Sequence, residues 1–189
     1  MSLDTSMGLT PLHGLPGATR SGTIDPSLIF HYTNQAGKIT DNSVGVSVAE
    51  DILNRKAGWK AICGTTDFGE VIQKAELSNE EDKEEVMKRN PYRLAFELFV
   101  DRIIHYVGSY HLKLDAQVDA IVFSGGIGER SAQLRTVVAK KAACLGYTEL
   151  DEAKNKTAGE VQEVVCEISK NNTSSSRGKI LVVKTDEQV

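Results

Sequence analysis

The sequence lacks the features of membrane and secreted proteins. No apolar run approaches the roughly 20 residues that a membrane-spanning helix needs, and the N-terminus has no signal-peptide core. The three cysteines, Cys63, Cys144 and Cys166, are far apart and form no CxxC pair. This spacing favours reduced, buried thiols over disulfides or a zinc site. We therefore expect a cytoplasmic protein with no membrane partner.

An excess of charge of one sign is also missing. The chain carries 22 Lys and Arg against 26 Asp and Glu, a net charge of −4, with no long run of either sign. Proteins that bind nucleic acid or anionic membranes usually present a broad basic face. We therefore expect no nucleic-acid partner, and an anionic small ligand would need a local cationic site.

Several familiar catalytic motifs are absent. The sequence has no HExxH, no Ser-His-Asp order and no pair of well-placed carboxylates. The four histidines are scattered, and we interpret them as structural or surface residues. What the chain does have is 189 residues of which 40% are hydrophobic, which is enough for a domain with a real core.

Strand and helix patterns alternate along the chain and predict an α/β domain. Predicted helices span 26–32, 43–56, 68–75, 91–110 and 129–145, and predicted strands span 118–126, 163–168 and 179–183. Residues 1–26 are too rich in Gly, Pro, Ser and Thr for a helix and predict extended pieces joined by turns. The helix at 91–110 has an apolar stripe wide enough to indicate burial on more than one side. The strand at 118–126 is apolar on both faces, which predicts a buried strand.

A glycine-rich turn follows that strand. "IVFSGGIGERSAQLR" places Gly125, Gly126 and Gly128 just before the next predicted helix. The N–H groups and positive dipole end of such a helix attract anions, and glycines let a nucleotide approach the backbone closely. However, no Lys-Ser/Thr pair follows, and Ser131 stands where a dinucleotide fingerprint has its third glycine. The turn is therefore either a nucleotide site or only a tight strand-to-helix connection.

Four further residues have both a functional and a structural interpretation. Arg20, in "GATRSG", carries a planar fork of donors suited to phosphate or carboxylate, although a loop arginine can also be merely solvated. Asp67 and Phe68, after "CGTT", could offer a carboxylate to a ribose and a ring to an adenine, or could cap a helix and fill the core. Glu187 could bind magnesium or only aid solubility.

Together these segments resemble the acetate kinase family. "DTSMGLTPLHGLPGATRSGTIDP", "ILNRKAGW" leading to "CGTTDF", "VFSGGIGERSAQLR" and "VVKTDE" occur in the order and spacing of that family. The resemblance covers essentially the whole chain, but only the C-terminal half of such an enzyme. It implies an RNase H-like domain of the actin, sugar-kinase and Hsp70 superfamily, with a central mixed sheet flanked by helices. It further implies that residues 1–189 are the C-terminal nucleotide-binding domain, without the N-terminal domain and the last helix.

The resemblance also implies a reaction, ATP + acetate ⇌ ADP + acetyl phosphate, and a role for particular residues. Arg20 matches an arginine that contacts the transferring phosphoryl group and the acetate carboxylate. The remaining matches are Pro11 for the pocket of the acetate methyl group, Asp67, Phe68, Gly69, Gly125, Gly126, Ile127, Gly128 and Glu129 for the nucleotide, and Glu187 for Mg²⁺. In this family the C-terminal domains pair, so a homodimer is expected.

Some positions depart from the family pattern. Gly69 stands where many members carry an arginine that packs on the adenine, and Gln188 replaces the second glutamate of a terminal pair. The missing arginine keeps pyrophosphate open as an alternative phosphoryl donor. Propionate or butyrate stays open as an alternative acceptor, because in this family the acyl pocket lies mostly in the N-terminal half. A third alternative is a non-catalytic module for nucleotide binding and dimerisation. Because the N-terminal half supplies several catalytic groups in this family, we expect the chain alone to be inactive.

Overall fold

The computed structural model describes residues 5–8, 10, 12–32, 35–41, 45–78, 81–147, 149–170 and 178–185. The chain divides into two compact units, Met1–Arg102 and Ile103–Val189. The boundary falls inside the longest described helix.

The first unit is mainly helical. Its elements are α1 (Leu28–Tyr32), β1 (Ile39–Asp41), β2 (Val46–Ser47), α2 (Val48–Arg55), α3 (Gly58–Cys63), α4 (Phe68–Lys74), α5 (Lys83–Arg89) and the first part of α6 (Pro91–Lys113). β1 and β2 pair antiparallel. Residues 12–25 contain no helix or strand, which confirms that this segment was rightly predicted not to be a helix.

Side-chain caps begin two of the predicted helices where the sequence places them. Asp67 Oδ1 accepts from the Gly69 N–H at 2.8 Å and begins α4. Asn90 Oδ1 accepts from the N–H groups of Tyr92 and Arg93 at 2.9 and 3.1 Å and begins α6. These bonds satisfy donors that the first turn of a helix leaves without partners.

Two helix starts in this unit were predicted wrongly. α1 begins at Leu28 rather than 26, because Asp25 accepts from the N–H and hydroxyl of Ser27 and forms a turn. α2 begins at Val48 rather than 43, because Val46 and Ser47 pair with β1. A further helix, α3, begins at Gly58 and was not predicted.

An aromatic cluster forms the core of the first unit. The rings of Trp59, Phe68, Phe96 and Phe99 lie with centroids 5.0 to 6.2 Å apart. Buried residues of α6 lie on more than one side of the helix, as predicted: Ala95, Phe96, Glu97, Phe99 and Val100. Packed rings of this kind hold α3, α4 and α6 together.

The second unit is built on a mixed sheet. Its elements, after the end of α6, are β3 (Ala120–Phe123), α7 (Gly125–Arg130), α8 (Ala132–Ala142), a 3₁₀ turn (Ala143–Leu145), α9 (Glu152–Thr157), β4 (Val165–Glu167) and β5 (Lys179–Val183). The strand order is β3-β5-β4, with β5 parallel to β3 and antiparallel to β4. Ile180 and Val182 on β5 are buried, so the central strand also carries the core.

The second unit corrects several expectations. The helix predicted from 129 begins at Gly125 and is interrupted at Ser131, whose hydroxyl accepts from the Leu134 N–H and starts α8. β3 is not buried on both faces, since Val122 is 52% exposed. Cys144 is exposed rather than buried, and all three cysteines are free thiols. In the described ranges, no helix is both long and apolar enough to cross a membrane.

Candidate functional site

Arg20 lies on a loop that is closed by its own backbone. At the base, the Thr23 N–H donates to the Gly14 carbonyl at 3.0 Å, and the Gly14 N–H donates to the Thr23 hydroxyl at 2.9 Å. At the tip, the Gly17 N–H donates to the Arg20 carbonyl at 3.0 Å. We call residues 14–23 the Arg20 loop.

The Arg20 loop is hydrogen-bonded to both the end of α2 and the start of α3. At α2, the Thr19 hydroxyl donates to the Asn54 carbonyl and the Ser21 N–H donates to the Leu53 carbonyl, both at 2.9 Å. Three N–H groups around the start of α3 donate to carbonyls of the loop: Ala57 to Thr19 at 3.0 Å, Trp59 to Gly17 at 3.2 Å and Lys60 to Ala18 at 2.9 Å. Helix ends leave such groups without intrahelical partners, so the loop satisfies both helix ends and is fixed by them.

The side chain of Arg20 is available to a ligand. It packs against Gly17, where an added Cβ would lie 2.9 Å from Arg20 Cγ. Within the part of the chain that the structure describes, its guanidinium makes no hydrogen bond or ion pair. A half-buried, unpaired guanidinium on a fixed backbone is suited to bind a phosphoryl or carboxylate group.

Asp67, Phe68 and Gly69 lie in the first unit with structural roles. The carboxylate of Asp67 is exposed and caps α4, while the Phe68 ring is 7% exposed inside the aromatic cluster. Gly69 is exposed, and an added Cβ would meet the Asp67 carboxylate at 3.1 Å. Asp67 and Phe68 therefore have the structural roles that were the alternative to nucleotide binding, a helix cap and a core ring. The second carboxylate oxygen of Asp67 takes no part in the cap.

The glycine-rich turn lies in the second unit, in the first turn of α7. Gly126 and Ile127 are in the segment whose N–H groups have no intrahelical partner. Nothing lies within 4 Å of a Cβ added at Gly126, whereas Gly128 packs against the end of β3 at Phe123. The turn thus combines an open backbone position with close helix–strand packing.

Glu129 connects this turn to the segment after β5. Its Oε1 accepts from the Gly125 N–H at 2.9 Å and from the N–H and hydroxyl of Thr185, both at 3.0 Å. The Thr185 N–H is the main cause that holds the pKa of the Glu129 carboxyl below its ordinary value of 4.5. The ionised Glu129 carboxylate therefore links the "GGIGE" and "VVKTDE" segments through hydrogen bonds.

Arg135 holds the glycine-rich turn in place through hydrogen bonds, a role that was not predicted from the sequence. It is fully buried, and its guanidinium donates to the carbonyls of Gly128 and Glu129 at 2.8 and 2.7 Å. It also donates to the side-chain and backbone oxygens of Asn155 at 2.7 and 2.6 Å. Burial lowers the pKa of Arg135, but the four acceptors compensate for its desolvation. The only feature of the sequence that pointed to Arg135 was its position at the end of the segment "VFSGGIGERSAQLR".

Pro11 and Glu187, the predicted acyl-pocket and magnesium residues, lie outside the described residues. The neighbours of Pro11, Thr10 and Leu12, line a cavity of about 300 Å³ together with Ile24 and Leu53. Among the described residues, no three His, Cys, Asp or Glu side chains cluster so as to hold a metal ion.

Comparison with known proteins identifies the relatives of the chain. The model of the acetokinase family matches residues 1–189. A probable acetate kinase from Emericella nidulans is 48% identical over 99% of this chain and 42% of its own length. An acetate kinase from Sulfurovum is 36% identical over 100% of this chain and 42% of its own length. The chain therefore spans about two fifths of the length of the curated relatives it matches.

Solved structures agree with this. The crystal structure of Porphyromonas gingivalis acetate kinase matches 96% of this chain and 40% of its own, with TM-score 0.70 and 28% identity. A propionate kinase from Francisella tularensis matches 98% of this chain and 41% of its own, with TM-score 0.67 and 39% identity. These similarities confirm the predicted α/β fold class, with its mixed sheet flanked by helices and its actin-like ATPase architecture. The chain belongs to the acetokinase family.

Proposed function

We propose that the chain is the C-terminal nucleotide-binding domain of an acetate kinase that converts ATP and acetate to ADP and acetyl phosphate. The observation that carries this proposal is the unpaired guanidinium of Arg20 on a loop fixed at both ends by α2 and α3, in a chain whose whole length matches the acetokinase family. The protein is proposed to be cytoplasmic.

Arg20 is proposed as the catalytic cation. In phosphoryl transfer, charge spreads over the equatorial oxygens of the transferring group, and a prepositioned guanidinium stabilises it. The hydrogen bonds on both sides of Arg20 mean that little reorganisation is needed when this charge develops. Arg20 would also orient the acetate carboxylate, with Pro11 beside the methyl group.

The residues proposed to contact the nucleotide are Asp67, Phe68 and Gly69, together with residues 125–129. The N–H groups in the first turn of α7 are suited to donate to nucleotide oxygens, and the Asp67 oxygen outside the cap is suited to accept from a ribose hydroxyl. Phe68 is proposed to contact the nucleotide from the aromatic cluster, in which its ring is buried. Mg²⁺ is proposed to bind at Glu187, as the family resemblance implies, and the roles proposed for Arg20 and for the nucleotide-contacting residues do not depend on it.

The role of Arg20 is tested in the full-length protein. Acetyl phosphate formed from acetate and ATP is trapped with hydroxylamine, and Arg20→Ala is expected to lower kcat about 10²- to 10³-fold. Arg20→Lys should retain part of the activity, because it keeps the charge but not the fork. The control is Arg55→Ala, a surface arginine on α2 paired with Asp51, which should leave kcat unchanged. An Arg20→Ala enzyme with more than about a tenth of normal kcat would contradict the assignment.

The donor is tested on the 189-residue chain by thermal shift with ATP, ADP and pyrophosphate. Stabilisation by ATP and ADP but not by pyrophosphate supports the proposal, whereas the reverse supports the pyrophosphate-dependent alternative kept open by Gly69. The chain alone is expected to form no acetyl phosphate above background. A chain that binds no nucleotide but sediments as a dimer would instead be a dimerisation module.

A propionate kinase is the second candidate, because one similar solved structure, at 39% identity, is a propionate kinase. The two candidates differ in the acyl group that must fit beside Pro11. The ratio of kcat/KM for acetate to that for propionate in the full-length protein separates them, and a ratio below one would replace acetate kinase by propionate kinase.

A further inference from the structure

A second cavity, of about 320 Å³, lies in the first unit, and the Arg20 loop forms part of its wall. The loop contributes Gly14, Pro16, Ser21 and Thr23 to its wall, but not Arg20 itself. This cavity is therefore separate from the phosphoryl-binding guanidinium, and the function proposed above makes no use of it.

Two helices supply most of the remaining wall, each with one face. From α6, Ala95, Leu98, Phe99 and Arg102 recur at the i, i+3, i+4 and i+7 spacing of a single helical face. From α3, Gly58, Ala61 and Ile62 do the same. Apart from Arg102, the helix residues of the wall are apolar, and the Arg20 loop adds the polar side chains of Ser21 and Thr23.

The apolar wall of this cavity reaches the surface. Ile62 and Leu98, which line it, are 36% and 41% exposed. Large apolar side chains left exposed around a concave site are typical of ligand-binding pockets. A ligand that filled the cavity would remove both side chains from water.

The wall contains two polar groups without partners in the described residues. Arg102 is exposed, and its guanidinium makes no hydrogen bond or ion pair there. Trp59 is 6% exposed, and its indole N–H is buried without an acceptor. An apolar cavity with one unpaired cation at its edge favours a ligand with an apolar body and one negative charge.

We propose that this cavity binds a small amphipathic carboxylate, with its hydrocarbon part against α3 and α6 and its carboxylate on Arg102. The volume is at the lower end of the usual range for ligand pockets, about 300 to 1,000 Å³, so the ligand is smaller than a nucleotide or a peptide. A planar guanidinium binds a carboxylate with two parallel hydrogen bonds. The proposal does not depend on kinase activity.

Trp59 is the only tryptophan of the chain, so its fluorescence reports directly on the cavity. The 189-residue chain is titrated with 3-phenylpropionate and, separately, with the uncharged 3-phenylpropanol. We expect a saturable change with the carboxylate and binding at least about tenfold weaker for the alcohol, because the alcohol loses the charged hydrogen bonds to Arg102.

Three variants complete the experiment. Arg102→Gln should reduce the affinity for the carboxylate to that for the alcohol and leave the alcohol unchanged. Ala61→Phe, at an exposed position of the wall, should block both ligands by filling the cavity. Arg55→Gln, away from the cavity, is the control and should bind as the unsubstituted chain does. Equal urea midpoints establish that each variant is folded.

The proposal is overturned by any of three results. The first is a fluorescence change that does not saturate, or none at all. The second is equal affinity for the carboxylate and the alcohol, and the third is full carboxylate affinity in Arg102→Gln or Ala61→Phe. None of these results bears on Arg20 or on acetyl phosphate formation, so the two proposals fail separately.

Discussion

Replacing Gly58 by alanine tests whether the start of α3 holds the Arg20 loop. Gly58 has φ +69°, a left-handed conformation that residues with a Cβ rarely adopt. An added Cβ would lie 2.2 Å from the Gly17 carbonyl oxygen and 2.7 Å from the carbonyl carbon of Ala18. Both contacts are backbone atoms, so the loop itself must move.

Gly64 provides a matched control at the other end of the same helix. It also has a positive φ, +82°, but nothing lies within 4 Å of an added Cβ. Gly64→Ala should therefore cost only the left-handed conformation, about 1–2 kcal/mol. Gly58→Ala should cost the same plus the hydrogen bonds from Trp59 and Lys60 to the loop, each worth about 0.5–1.5 kcal/mol. The entropy that alanine removes from the unfolded chain is common to both and cancels.

The assay is urea unfolding of the 189-residue chain, followed by the fluorescence of Trp59, which is next to Gly58. With an m-value of about 2 kcal/mol/M, the about 1–3 kcal/mol of the two hydrogen bonds places the midpoint for Gly58→Ala roughly 0.5–1.5 M below that of Gly64→Ala. Midpoints that agree within about 0.2 M would refute the inference that α3 fixes the loop. In the full-length protein, Gly58→Ala should also lower kcat, because it displaces the backbone next to Arg20.

Two further predictions concern the second unit. Because hydrogen bonds lower the pKa of Glu129 in the folded chain, its stabilising contribution is complete above about pH 4.5 and is lost as pH falls below it. In urea titrations at a series of pH values, Glu129→Gln should remove this part of the pH dependence of the unfolding free energy. The exposed control Glu160→Gln should keep it. If Glu129→Gln and the unsubstituted chain gave identical pH curves, Glu129 would not link the two segments. Arg135→Lys should lower the free energy of unfolding by about 3 kcal/mol, because one ammonium cannot reach both Asn155 and the carbonyls of the glycine turn. The surface control Arg130→Lys should change it by less than about 0.5 kcal/mol, and an equal effect of the two would show that the Arg135 fork is dispensable.

Local chemistry explains which parts of the fold the sequence could predict. Asp67 and Asn90 begin helices because a side-chain oxygen satisfies nearby N–H groups, and this signal lies within three residues. The strands at β3 and β5 were predicted from continuous apolar runs. The start of α2 was missed because it depends on the pairing of β2 with β1, which is not visible in local composition.

The glycine turn shows the same limit at the candidate site. Its position after β3 was predicted, but Glu129 and Arg135 were not assigned their contacts, because those contacts come from distant segments. Thr185 lies 56 residues after Glu129, and Asn155 lies 20 residues after Arg135. Residue types alone do not indicate which distant donor or acceptor a charged side chain meets.

The Arg20 loop extends this argument to catalysis. The loop has no regular secondary structure and little apolar surface of its own, so its order must come from partners elsewhere. Those partners are groups at the end of α2 and the start of α3, up to 42 residues further along the chain. Helix ends are the part of a helix whose backbone groups lack partners, and a glycine-rich loop offers its carbonyls and N–H groups without steric hindrance. The "ILNRKAGW" segment therefore determines where the Arg20 backbone lies and, through it, the position of the proposed catalytic guanidinium.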